Sequence, residues 1–128
     1  MKEELLKNIH QAISDTEIFN AVDIFERLGY EEAQMPICVI KDINDSISVH
    51  SSGNWKVIST IEINTLYTEA NEGFSLVNTI LKALNGLSKY NYILNVVEVA
   101  KDIEFLQTPI FKATITLNVM YFTPSWEL

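Results

Sequence analysis

Seventeen carboxylates, two histidines and one cysteine are the side chains through which this 128-residue sequence could do chemistry, and their spacing limits the uses open to them. A zinc site needs several such ligands converging. Here His10 falls on the polar side of an N-terminal helical stripe, His50 stands beside a turn, and Cys38 lies inside Pro36-Ile37-Cys38-Val39-Ile40. The segment Asp42-Ile43-Asn44-Asp45-Ser46 is rich in oxygen ligands, but it lacks the alternating carboxylates, central glycine and distal glutamate of a calcium loop. It reads as a turn. Asp102 with Glu104, or Glu62 with an acid on a neighbouring strand, could share a sheet face as acid–base pairs do, yet solvated charges fit that spacing without any raised pKa. The glycines at 29, 53, 73 and 86 are too scattered to cradle a phosphate or dinucleotide, and no Gly-x-Ser-x-Gly elbow occurs. The expectation is a protein that is not an enzyme, with no catalytic residue, metal or cofactor, working through shape and surface.

Length and composition frame the elements that must build such a surface. With 48% hydrophobic residues the chain can bury a substantial core, and a single domain over 1–128 is expected. No apolar run approaches the ~18 residues of a membrane-spanning helix, and Met1-Lys2-Glu3-Glu4-Leu5-Leu6-Lys7 is unlike a signal peptide. One cysteine permits no internal disulfide, which fits a cytoplasmic site of folding. The formal net charge of −8 opposes the basic footprint of nucleic-acid binding. Acids crowd the start (Glu3, Glu4, Asp15, Glu17, Asp23, Glu26, Glu31, Glu32) against Lys2, Lys7 and Arg27, either for solubility or as a surface that repels DNA or meets a basic partner.

Leu5, Leu6, Ile9, Ala12 and Ile13 gather on one helical stripe with Lys2, Glu3, Lys7, Asn8 and Gln11 elsewhere, predicting a helix over about 2–14 that Ser14-Asp15-Thr16 ends. Ile18 to Leu28 fits either period and is read as a short strand, followed by a polar connector over 29–34. Pro36 then leads an apolar, doubly covered strand, Ile37 to Lys41. Asp42 to Asn54 is a loop or an extended hairpin, and Trp55 to Thr68 a long strand. Asn71 is expected to cap a second helix with its side chain; Phe74, Val77, Ile80, Leu81 and Leu84 form its core stripe, and Gly86 its left-handed stop. Tyr92 to Val99 and Ile103 to Phe105 form one bent strand or two short ones.

From Phe111 to Tyr121 every odd position is apolar while Lys112, Thr114, Thr116 and Asn118 fill the gaps, the period of a strand packed on one face. The fold class is therefore α+β: a mostly antiparallel, mixed sheet with two helices packed on one face. Met120 and Phe122 continue the even register away from that face, and Trp126 follows in a C-terminal tail over 123–128. Either these residues meet a partner, or the tail folds back and buries them.

In this order of elements the chain resembles the tail-terminator, or tail-completion, family of long-tailed bacteriophages. The likeness rests on the N-terminal helix, Met35-Pro36-Ile37-Cys38-Val39-Ile40, the strand Val57 to Ile63, the helix Phe74 to Leu84 and the closing strand Ala113 to Val119. It implies a non-enzymatic virion protein of a phage or prophage, made in the host cytoplasm and then part of the tail. Such subunits close into a ring, commonly a hexamer, on the head-proximal end of the tail tube. The ring stops tube polymerisation and offers a surface to a head-connector or head-completion protein, with DNA passing through without specific binding. Its expected partners are further copies of itself, the tail-tube protein and the connector, and no membrane. Candidate interface residues are Asp42, Ile43, Asp45, Ile47, Val49, Trp55, Met120, Phe122 and Trp126. The connector Ile18 to Gln34, rich in acids, departs from the family pattern. A small ligand-binding or enzymatic α+β domain and a host protein-protein adaptor are the rival readings.

Overall fold

The computed structural model describes residues 1–24, 34–105 and 108–128, with only the backbone of residues 104 and 105. In chain order these form α1 (Lys2–Ser14), β1 (Ala21–Ile24), β2 (Ile37–Ser51), β3 (Asn54–Tyr67), α2 (Glu72–Asn85), a 3-10 turn (Gly86–Lys89), β4 (Ile93–Phe105) and β5 (Pro109–Pro124). The strands make a five-stranded sheet in the order β1-β2-β3-β5-β4, antiparallel throughout except where β1 runs parallel to β2. Both helices cover one face, so the fold is α+β with a mixed sheet. Among the described residues no helix is long and apolar enough to cross a membrane.

The period-two pattern of β5 is realised residue by residue. Ala113, Ile115, Leu117, Val119 and Tyr121 are buried under the helices, while Lys112, Thr114, Thr116, Asn118 and Met120 lie on the open face, each only partly covered. Register carries the alternation sideways: Ile40, Ile63, Ile115 and Val99 form one row across four strands. Leu5, Leu6, Ile9 and Ile13 of α1 and Leu76, Val77, Ile80 and Leu84 of α2 close over these rows. Removing that apolar area from water, at about 25 cal/mol per Å², is the main stabilising term. Ile37 to Ile40 are buried without alternation, as expected for a strand covered on both sides. Beside them on the open face, Asn64 accepts a bond from Thr114 Oγ1 at 2.7 Å, while its Nδ2 is buried with no partner among the described residues.

Three expectations about α2 are corrected. Phe74 is 70% exposed rather than core-facing, because the helix turns Gly73 and Leu76 toward the sheet and rotates position 74 out. Gly73 comes so close to the Tyr67 ring that a Cβ there would overlap it, a close approach that only glycine permits. Asn71 does occupy the N-cap, but its side chain makes no capping bond. Gly86 is right-handed, and the chain continues as the 3-10 turn instead of stopping in the left-handed region. The local spacing alone does not reveal this, since Leu87, buried at 3% exposure, draws the turn inward.

The segment read as loop or hairpin is a hairpin. Ser52-Gly53 form its two-residue turn, with Gly53 at φ 87°, and β2 bulges at Ile43 and again near the turn. The strand expected over Ile18–Leu28 is realised as β1; positions 25–28 and most of the connector 29–34 lie outside the described residues. β4 is one strand, bent by a bulge at Val97. Cys38 sits in the core, and burial, with the nearby charge of Asp23, pushes its thiol pKa up to about 12. At pH 8 that leaves roughly a thousandfold less thiolate than an unperturbed cysteine. Reaction with a disulfide reagent should therefore be very slow in the native protein and prompt in denaturant; fast native labelling would show that the strand opens readily.

Candidate assembly interface

The polar centre of the molecule is a lysine. Helical spacing places Lys2 off the apolar stripe of α1, yet it is only 9% exposed, because the first turn of α1 ends over the root of the β2–β3 hairpin. Its ammonium donates to Ser59 Oγ at 2.9 Å, lies 2.9 Å from Asp42 Oδ1 and makes a short contact with Asp45. Ser59 in turn donates to Asp45 Oδ1 at 2.5 Å and lies 3.4 Å from the Tyr121 hydroxyl. The buried Asp42 Oδ1 has that ammonium as its partner among the described residues. The Lys2 amide also donates to the Leu128 carbonyl at 2.7 Å, so α1, the hairpin root and the C-terminal tail meet at one residue.

Beyond this root the outer strand and the turn face solvent, with residues 46–54 all exposed and Val49 at 79%, while β3 stays paired with β5 as far as Asn54. On the helix side of the tip Trp55 packs against Trp126, ring centroids 5.4 Å apart. On the open side His50 lies 4.5 Å from Phe122. The tail folds back without burying the residues expected to be covered. The Ser125 amide donates to the Gly53 carbonyl at 2.9 Å, but Trp126 remains 87% exposed at a left-handed φ of 71°. An exposed indole at a strained backbone position is characteristic of contact surfaces.

The sheet's two margins differ. β1 is four residues long, and its Val22 carbonyl accepts a bond from His10 Nε2 at 2.9 Å. No described strand flanks β2 from Asp42 to Ser51 on its outer side. At the opposite margin β4 is thirteen residues long, and Ile93, Val96, Val97, Val99 and Ile103 are exposed along it. Lys101 stands 4.0 Å over the exposed Phe74 ring, and a groove of about 420 Å³ separates α2 from β4, floored by Leu94, Val96 and Leu117.

Of the nine candidate interface residues, Ile43, Ile47 and Val49 lie along the free margin of β2, and Trp55, Phe122 and Trp126 at the tip. Met120 is on the open face in the row of Ile58 and Ile93. Asp42 and Asp45 both turn toward Lys2 within the subunit and remain partly exposed. The β4 margin and Phe74 lie outside those nine; the run Ile93 to Ala100 is dense in β-branched residues, but only the strand order places it at a margin. No protein-family model matches this sequence, and no curated protein matches it either.

Proposed function

We propose that this chain is a non-enzymatic structural subunit of a phage or prophage tail, closing as a ring on the head-proximal end of the tail tube. There it stops tube growth and presents a surface for head joining. The observation that carries this reading is the pair of unlike exposed strand margins on opposite sides of one sheet, β4 on one side and the hairpin half of β2 on the other. Unlike surfaces on opposite sides make head-to-tail contacts, and such contacts form a ring when the rotation between copies closes. Unpaired strand margins are also templates that a neighbour completes. The exposed aromatics at the hairpin tip, Phe122 and Trp126, supply a further contact surface, suited to the tube or the connector.

The test is assembly. Concentrated protein, alone or mixed with tail-tube protein, is expected to give ring-sized particles by light scattering and negative-stain microscopy. Trp126→Ala and Phe122→Ala are expected to weaken assembly by about tenfold or more while leaving unfolding within about 0.5 kcal/mol. A strict monomer under both conditions would overturn the reading. Loss of the folded subunit in either variant would assign those rings to its core instead.

A further inference from the structure

We infer that copies of this chain join by strand addition, with the hairpin half of β2 in one copy pairing antiparallel with the first half of β4 in the next. The inference rests on the ring reading above and names the contact that would build it. It starts from the rows of the sheet. Asn44, Thr60, Asn118 and Asn95 form one row from the β2 margin to the β4 margin on the open face. Inside it Thr60 Oγ1 donates to Asn118 Oδ1 at 3.1 Å. At its two ends the exposed amides of Asn44 and Asn95 have no hydrogen-bond partner among the described residues. The adjacent row on the same face is Lys41, Glu62, Thr116 and Glu98, so it ends in a cation at β2 and a carboxylate at β4.

Copies related by rotation about an axis along the strands keep every residue at its own height. Residues ending the same row then face each other across the contact: Asn95 meets Asn44, and Glu98 approaches Lys41, which already has a partner within its own chain. β2 runs toward the hairpin tip and β4 away from it, so the new pairing is antiparallel. Among the described residues β1 flanks β2 as far as Ile40, and β4 carries its bulge at Val97 close to that height, where a bulge can turn its second half aside. Two-fold pairing of β4 with itself is disfavoured, because it would crowd Glu98 and Asp102 from both copies on one face.

The rows make the test specific. Directly opposed residues on an antiparallel pair have Cβ atoms about 4.5–5.5 Å apart, near enough for a disulfide after a small adjustment. Asn44→Cys and Asn95→Cys proteins, each retaining the buried Cys38, are oxidised separately and as a mixture and run on non-reducing gels. A cross-linked dimer is expected from the mixture and from neither protein alone, and a chain carrying both substitutions should give a ladder. Adding Glu98→Lys should reduce the mixed product about tenfold by setting like charges together. A dimer from Asn95→Cys alone would mean two-fold β4 pairing and overturn the inference. Ring-sized particles without the mixed cross-link would overturn it too, while leaving the ring reading standing. A ladder whose particles ignore tail tubes would support the pairing and remove the phage assignment, and a monomer at every concentration would remove both.

Discussion

Replacing Lys2 with alanine is expected to lower the unfolding free energy by about 3 kcal/mol and the thermal midpoint by roughly 10 °C. The substitution leaves Asp42 and Asp45 partly buried beside Ser59 with no cation between them. Removing one member of a buried ion cluster costs more than removing all of it, since the survivors stay desolvated without compensation. Lys2→Met combined with Asp42→Asn and Asp45→Asn should therefore recover most of the loss. If the triple variant is as unstable as the single one, the packing of the lysine stem, and not the charges, is what matters.

The same lysine sets a dependence on pH. Burial by itself lowers its pKa, but the hydrogen bonds and charges of Asp45 and Asp42 outweigh it and hold the group above its ordinary value of 10.5. The folded protein thus binds this proton more tightly than the unfolded chain does. The resulting stabilisation is complete below pH 10.5 and fades as pH rises through the raised value. Denaturation midpoints measured across that alkaline range should fall more steeply for the natural sequence than for Lys2→Ala. Equal slopes would mean that the cluster contributes no proton linkage.

A second large effect is expected in the middle of the sheet. Ile115 is fully buried in the row with Ile40, Ile63 and Val99, and truncating it to alanine opens a cavity among β-branched side chains that have little freedom to collapse. The cost should be about 3–4 kcal/mol. One residue along, Thr116 points to the open face, and Thr116→Val should change stability by about 0.5 kcal/mol or less. Chemical denaturation of the pair tests the alternation itself. Similar losses at both positions would mean that the open face is packed as tightly as the helix face.

The strands were legible where one rule governed the residue. Phe111 to Tyr121 and Trp55 to Thr68 show their period because one face meets helices and the other does not. Lys2 was illegible for the opposite reason: its burial depends on Asp42 and Asp45, some forty residues away in the chain, and no local period encodes such a partner. Phe74 looked like core because a helical stripe read from sequence has an uncertainty of about one position, and the close contact of Gly73 with Tyr67 is what sets the rotation. Glycine at 86 suggested a left-handed stop, whereas the buried Leu87 beyond it favoured one more right-handed turn. Of the candidate surface, exposed residues such as Val49 and Trp126 could be chosen from sequence. The β4 margin could not be separated from a buried strand until the strand order placed it outermost.

The ammonium at the hairpin root also has a mechanical meaning. Because β5 pairs with β3 as far as Asn54, the hairpin's open margin among the described residues is along β2, and its root is where that outer strand would peel away. Here the joint is pinned from above by α1 and from behind by the tail, through Lys2 and the Leu128 carbonyl. Three elements distant in the chain thereby share one anchoring point, so a load placed on the outer strand is passed to the first helix and the tail as well as across the sheet.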